Sequence, residues 1–282
     1  MNVLSLCDGM SGGQISLHEL GITVNKYYSM EIKKEGIYTT QLNFPNTIQL
    51  GDVNGFDVSM LNGDTIDLFL CGSPCKNMSI INSTSRDGVN GEKSKLFFKC
   101  IKIMEIVKPK YFLFENVGSM TNKDKNIFSE YIGCKPIQIN SSLVSAQIRN
   151  RYYWTNIPNV SIPQDRNIYL KDILEYGSHP EEKWSDKKKQ FVVKKKDTMY
   201  VKIDGEKSLP ITARGYRAWN TQFVTDDGII RDLTTNEYRK LQTIPSWISF
   251  GELPKTKITD LIGDGWNIET IKHILKELKG EF

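Results

Sequence analysis

Histidine is scarce, at three residues in 282, and the five cysteines (Cys7, Cys71, Cys75, Cys100, Cys134) follow no regular interval. The first shortage removes the usual cysteine–histidine zinc sites, and the second removes a disulfide framework. No apolar run is long enough to span a bilayer and no signal peptide opens the chain, so the expectation is a cytosolic, reduced protein with no membrane partner. Neither charge sign dominates: the net charge is +4 and the sequence pI about 8.6. That balance permits a polyanionic partner without demanding one. There is no internal repeat and no low-complexity tract. What is left, with 39% hydrophobic and 25% charged residues, is an ordinary globular chain, long enough for one large domain or a large one with a smaller companion.

Three short apolar stretches end in chemistry. Ile66-Asp67-Leu68-Phe69-Leu70-Cys71 reads as a buried strand, and Gly72-Ser73-Pro74-Cys75 then turns and presents a thiol. Tyr111 to Val117 is a second strand that ends on the carboxylate of Glu115. Gln147-Ile148-Arg149-Asn150-Arg151 leads into Tyr152-Tyr153-Trp154 and carries guanidinium groups. In open α/β sheets ligands bind outside the carboxyl ends of strands, so a thiol, an acid and a guanidinium there can form one site. A single cysteine in a turn is more often a small apolar residue; the company of the other two stretches favours a nucleophile here.

The chain opens with a strand, Asn2 to Leu6, a glycine turn, Asp8-Gly9-Met10-Ser11-Gly12-Gly13, and a helical segment, Gln14 to Leu20. Glycine allows a ligand close to the backbone, and the helix N-terminus faces it. Glu31 ends the next strand, Lys26 to Met30, at about the 20-residue distance from the turn that suits hydrogen bonding to ribose hydroxyls. The turn lacks the full G-x-G-x-x-G spacing, which disfavours a pyrophosphate and favours a nucleoside without phosphates, such as S-adenosylmethionine. Ile48 to Asp52 reads as a third strand; Asp52 can reach an adenine amino group or be a solvated loop acid. Residues 76–94 are a polar stretch with the composition of a mobile lid, and the periodicity from Lys95 to Val107 predicts a helix whose apolar face is core.

Beyond Trp154 long apolar runs become rare. Between residues 181 and 209 nine lysines face six acids, interleaved with Trp184, Phe191 and Tyr200. Such a segment is either a solvated face or a phosphate-tracking surface, and both readings stand. The runs Lys187 to Lys189 and Lys194 to Lys196 hold too many like charges to be buried, which predicts that they face solvent or phosphate. Thr234-Thr235-Asn236-Glu237 has a capping-box pattern that starts a helix toward Pro245, and a last helix with an apolar stripe runs from about Asn267 to Lys279.

Taken together, the turn Asp8 to Gly13, Pro74-Cys75, Glu115-Asn116-Val117, Gln147-x-Arg149-x-Arg151 and the turn and helix over 263–278 resemble, in order, the motifs of cytosine-C5 DNA methyltransferases. Ser73-Pro74-Cys75, Leu96-Phe97-Phe98 and Arg151-Tyr152-Tyr153-Trp154 are most similar to the vertebrate de novo DNA methyltransferases and related bacterial and phage enzymes. The resemblance implies an α/β, Rossmann-like S-adenosylmethionine-dependent methyltransferase fold with a small target-recognition domain. The catalytic domain would take 1–157 and 254–282, and the recognition domain 158–253, with double-stranded DNA in the cleft between them. It implies a catalytic set of Cys75, Pro74, Glu115, Asn116, Arg149 and Arg151. It implies cofactor contacts from Cys7, Asp8, Gly9, Met10, Gly12, Gly13, Glu31, Ile32, Asp52, Val53, Gly72, Pro74, Asp264 and Trp266. DNA contacts would come from Lys76, Ser79, Arg214, Arg217 and Trp219.

Departures from the family pattern are Cys7, where many members carry a phenylalanine against the adenine; Lys76, where Gln or Asn is usual; and Gly263-Asp264-Gly265-Trp266, which differs from the common Gly-Asn-x-Val turn. The expected setting is the cytoplasm of a bacterium or phage-infected cell, near the nucleoid, with or without a cognate restriction enzyme. The rivals are a same-fold enzyme acting on transfer RNA, a non-enzymatic DNA-binding paralogue, and a nicotinamide oxidoreductase.

Overall fold

A computed structural model describes residues 1–72, 92–177 and 184–281. Pro74, Cys75, Lys76 and Ser79 lie outside the described residues, as does the expected lid up to residue 91. The described chain divides into two compact units: Met1–Ile139 with Asn150–Ile162 and Thr270–Phe282, and Asn140–Arg149 with Pro163–Glu269. Residues 254–269, expected with the catalytic domain, therefore cluster with the second unit, as do 140–149.

The main sheet has the order β3-β2-β1-β4-β5-β7-β6, built from β1 (Asn2–Leu6), β2 (Lys26–Met30), β3 (Ile48–Gln49), β4 (Leu68–Gly72), β5 (Tyr111–Val117), β6 (Ile137–Asn140) and β7 (Asn150–Thr155). The strands β3, β2, β1, β4 and β5 pair parallel, and β7 pairs antiparallel to β5. Chain order reverses direction across the sheet between β1 and β4, which is the switch point where open α/β sheets leave a crevice. The strands β1, β2 and β4 are almost wholly buried, as continuous apolar runs in a parallel sheet should be. The third strand is shorter than expected: it stops at Gln49, because the Asp52 side chain caps a short 3-10 turn instead of extending it.

Helices α1 (Gly12–Glu19), α2 (Lys34–Asn43), α3 (Glu92–Val107) and α4 (Asn122–Ile132) belong to the first unit. The helix expected from Lys95 begins three residues earlier, at Glu92. A Cβ on Gly13 would lie 2.3 Å from Leu70 Cδ1, so glycine is what lets α1 press onto β4. Phe97 of α3 stacks on Phe128 of α4 with ring centroids 3.5 Å apart, and Phe114 and Trp154 extend this aromatic core. Each such buried ring stabilises the fold by about 1.5–3 kcal/mol relative to exposure. Trp154 also satisfies its indole N–H, donating to Ser129 Oγ at 3.0 Å.

The second unit is built differently. Its sheet has the order β10-β9-β8, from β8 (Lys202–Ile203), β9 (Gln222–Asp226) and β10 (Ile229–Asp232). Its helices are α5 (Asp186–Lys195), α6 (Thr235–Leu241) and α7 (Lys255–Asp264). The final helix, α8 (Ile268–Leu275), runs on into a 3-10 turn at Lys276–Leu278. The capping box at Thr234 and Glu237 forms as the sequence predicts. A small apolar cluster, Val192, Val201 and Phe223, is supplemented by buried charge. Arg231 is held by Asp226 at 2.8 Å and by both carboxylate oxygens of Glu237 at 2.8 and 2.9 Å. These three side chains are almost fully buried.

The expectation for the lysine runs needs a correction at Lys188, which is only 8% exposed. It sits one turn before buried Val192 on the inward face of α5, and its ammonium pairs with buried Asp232. The rings of Trp184 (4.6 Å), Tyr216 (5.7 Å) and Phe223 (5.8 Å) surround the same ammonium. Lys187, Lys189, Lys194, Lys195 and Lys196 are exposed.

Candidate active site

Glu115 and Arg151 meet. Parallel pairing sets Glu115 beside Gly72, and antiparallel pairing sets it opposite Tyr153 and diagonal to Arg151. Because β7 runs against β5, the beginning of β7 lies at the finishing end of β5, so residues 36 apart in sequence become neighbours. Arg151 Nε lies 2.8 Å from Glu115 Oε1, and both side chains are mostly shielded, at 15% and 12% exposed. Arg151 Nη1 also donates to the Asn150 carbonyl at 2.8 Å. Asn116 is buried, and its side-chain oxygen accepts from the Val117 backbone N–H at 2.8 Å.

Arg149 falls in the other unit, and its guanidinium is spent on carbonyls. It donates to the oxygens of Ile211 (2.8 Å), Gly263 (3.2 Å) and Gly265 (2.9 Å) and is 5% exposed. Gln147 and Gln242 do similar work beside it. Gln147 bonds Leu241 and Gln242 and accepts from the Ile211 N–H, while Gln242 bonds Ile262 and Gly265. A Cβ on Gly263 would meet the Thr212 carbonyl carbon at 2.3 Å, so this turn is packed backbone to backbone.

The glycine turn lies at the end of β1. Gly9 donates its N–H to Glu31 Oε2 at 2.7 Å, and Glu31 Oε1 accepts from Ile32 and Lys33, both at 2.8 Å. Gly9 takes a left-handed backbone, φ 61°, and a Cβ on Gly36 would lie 2.4 Å from the Gly9 carbonyl oxygen. Ile32 is 68% exposed although the residues before it are buried, while Met10 and Val53 are buried. Asp52 is exposed and accepts from the Asn54 backbone N–H at 2.9 Å. Gly12 and Gly13 are buried in the first turn of α1. Cys7 is partly buried against a core containing Cys71 and Cys100, and its hydrogen bond to Cys100, together with burial, pushes its thiol pKa well up. Asp264 closes α7 and Trp266 follows it, within the second unit.

Asp8 is the surprise. Its carboxylate points inward, where Oδ1 accepts from Ser5 Oγ (2.5 Å) and Tyr27 Oη (2.9 Å) and Oδ2 accepts from Ser11 Oγ and from Ser29 Oγ (2.9 Å). Burial raises the Asp8 pKa against the lowering pull of these hydroxyls, and burial likewise raises Tyr27 well above the ordinary phenol. Sequence reading passed over the four hydroxyls because they come from three separate elements. The only visible hint is a serine in the middle of each of two otherwise buried strands.

Of the DNA-contact candidates, Arg214 and Arg217 are exposed and share one acid: Asp260 accepts from the Arg214 N–H at 3.0 Å and pairs with Arg217 Nη2 at 2.5 Å. Trp219 packs edge-on against Phe191, centroids 5.6 Å apart, beside the small apolar cluster.

An open α/β sheet with this switch point, a glycine turn after β1 and an acid after β2 is the Rossmann-like fold of S-adenosylmethionine-dependent methyltransferases. Solved structures agree on the fold: the Entamoeba histolytica methyltransferase EhMeth superposes with a TM-score of 0.78 over 100% of this chain and 99% of its own, at 16% identity. The S. pombe Dnmt2 methyltransferase gives 0.75 over 99% and 98%, also at 16% identity. A family model described as C-5 cytosine-specific DNA methylase matches residues 1–280. The chain belongs to that family. Among curated relatives, the Arabidopsis thaliana DNA (cytosine-5)-methyltransferase DRM2 is 37% identical over 119 residues, 38% of this chain and 19% of the relative. The orphan methyltransferase M.SPRI of Bacillus phage SPR is 27% identical over 212 residues, 72% of this chain and 45% of the phage enzyme. The matched stretches thus span less than half the length of these relatives. No helix among the described residues is long and apolar enough to cross a membrane.

Proposed function

We propose that the chain is a DNA cytosine-5 methyltransferase that uses S-adenosylmethionine, with Cys75 as its nucleophile. The observation that carries this reading is the Glu115–Arg151 pair, one strand from Gly72 at the carboxyl edge of the sheet, in a chain of this family. Cys75 follows Gly72 by three residues, a covalent reach of at most about 11 Å.

Carbon 5 of cytosine is a poor nucleophile. Addition of the Cys75 thiolate to carbon 6 makes carbon 5 enamine-like. Electron density moves toward ring nitrogen 3, where Glu115 shares a proton as general acid. Arg151 has two tasks: its Nε holds Glu115 in place, and its guanidinium supports the base carbonyl oxygen as an oxyanion-type donor. S-adenosylmethionine, when bound, supplies the methyl group that carbon 5 accepts. Loss of the carbon 5 proton and departure of the thiolate restore the ring. A base inside a duplex is out of reach, so the target cytosine is flipped out. Arg149 supports the second unit from within, by satisfying carbonyls of the turns that contain Ile211, Gly263 and Gly265.

The residues after β1, β2 and β3 fit the cofactor. Glu31 offers a carboxylate to the ribose hydroxyls, exposed Ile32 an apolar surface to the adenine ring, and exposed Asp52 an acceptor to its amino group. DNA is the substrate we favour, because the relatives carry DNA-methyltransferase and phage orphan-methyltransferase names. Those phage names also favour a solitary bacterial or phage enzyme without a dedicated restriction partner.

Duplex DNA carrying 5-fluorocytosine tests the mechanism, since fluorine replaces the proton that must leave. The wild type is expected to form a covalent adduct and Cys75→Ser none. An adduct that survives in Cys75→Ser overturns the nucleophile. The same incubation with transfer RNA separates the two nucleic acids.

A further inference from the structure

We propose that Asp8 is a positioning residue for the cofactor: it never touches the ligand, and instead holds the glycine turn in its left-handed shape from below through Ser11. This rests on the reading that the turn after β1 binds S-adenosylmethionine.

Three observations converge. The first is saturation. A carboxylate has about four acceptor sites, and Asp8 fills four with Ser5, Tyr27, Ser11 and Ser29. Nothing is left over for a ribose or a methionine ammonium. The second lies in the sheet. Ser5 of β1 and Ser29 of β2 are direct partners in the parallel register, and both are buried, at 2% and 1% exposed. Two paired serines in a sheet interior are poor packing and cost free energy unless bonded. Tyr27, two residues along β2 and therefore on the same face, brings a third hydroxyl. One inward carboxylate explains all three.

The third observation is the backbone. Within five residues Cys7 (φ 55°), Gly9 (φ 61°) and Ser11 (φ 59°) all take the left-handed conformation, which only glycine adopts without strain. Ser11 occupies the N-cap place of α1, where a serine hydroxyl would ordinarily bond the first helical N–H groups, yet it makes no such cap. Its hydroxyl is turned down to Asp8 and Thr40 Oγ1, the latter at 3.0 Å. The Ser11 hydroxyl therefore does not cap the first N–H groups of α1, and the strain at Ser11 persists because Asp8 holds it. The Ser11 N–H donates to the Asp8 carbonyl at 3.0 Å, which closes the same turn from the main chain.

The test uses the full chain with S-adenosylhomocysteine as binding probe, steady-state kinetics and thermal melting. Asp8→Ala is expected to weaken probe binding and raise the cofactor KM by about tenfold or more, with a smaller change in kcat. Ser11→Gly is the discriminating partner, because glycine takes the left-handed backbone unaided. Asp8→Ala combined with Ser11→Gly is expected to bind the probe within about threefold of Ser11→Gly alone. A residue that only stabilised the fold would lower melting temperature, kcat and affinity together and show no recovery. Should Asp8→Ala fail to fold, Ser29→Ala serves in its place, with an expected KM rise of about two- to fivefold at unchanged kcat. Wild-type affinity in Asp8→Ala, or a double variant no tighter than Asp8→Ala, overturns the proposal. A wild-type chain that does not bind the probe overturns the cofactor reading and this one with it.

Discussion

The two compact units bury charge for different ends. In the first, strands of Leu, Phe and Tyr build the core, and the carboxylates Asp8, Glu31 and Glu115 sit where strands finish. In the second, buried apolar residues such as Ile211, Val224, Leu233, Leu241 and Ile262 share the interior with ion pairs: Arg231 with Asp226 and Glu237, and Lys188 with Asp232. In the first unit the polar groups gather at the strand ends. In the second, buried charges and backbone-binding side chains such as Arg149, Gln147 and Gln242 hold the turns. The two arginines of one sequence motif make the contrast sharp. Arg151 faces the carboxylate of Glu115, while Arg149, two residues earlier, binds three carbonyls in the other unit.

The comparison breaks first at Glu115. Glu115→Gln keeps the shape and most of the hydrogen bonding but cannot supply a proton. Turnover is expected to fall by about 10²–10⁴-fold, with DNA binding and melting temperature little changed. Single-turnover methylation alongside a melting curve measures both; near-normal turnover would make Glu115 an ordinary strand-end acid.

A second break concerns Lys188. Lys188→Met leaves Asp232 charged and buried among rings, and is expected to cost about 3–5 kcal/mol in urea unfolding. Adding Asp232→Asn removes the stranded charge while keeping an acceptor for the Trp184 N–H, which donates to Asp232 at 2.9 Å, so most of that loss should return. A single variant that unfolds like the wild type would mean that the pair contributes nothing to holding α5.

The smallest effect lies on the outside of the same helix. Replacing Lys187, Lys189, Lys194 and Lys195 with glutamine leaves the buried Lys188 in place, and stability should stay within about 0.5 kcal/mol. If these lysines track phosphate, DNA affinity falls for every sequence alike, and the salt dependence flattens by about one unit of slope for each phosphate no longer neutralised. Parallel lines of affinity against salt would leave the face merely solvated.

Much of the first unit was legible in the sequence, for a physical reason. Buried parallel strands are continuous apolar runs, and a change of composition marks where each ends, so β1, β2, β4 and β5 and the acids at their ends were visible. The second unit was legible only in part: the capping box at Thr234 announces α6, whereas α5 and α7 carry no such signal and Lys188 reads as a surface residue with its neighbours. A lysine's burial depends on which residue waits opposite it, and Asp232 is 44 positions away.

By itself, the sequence determined the class of fold, the order of the motifs and a set of candidate groups for the chemistry. These follow from local pattern, which the chain carries wherever it goes. Only the tertiary structure decided which arginine meets Glu115, because that depends on β7 running antiparallel to β5. It alone turned the Asp8 carboxylate inward, since four hydroxyls from β1, the turn and β2 become neighbours only once the strands pair. Pairing brings together residues that no sequence interval connects, and the function of a polar side chain is settled by what pairing puts in front of it.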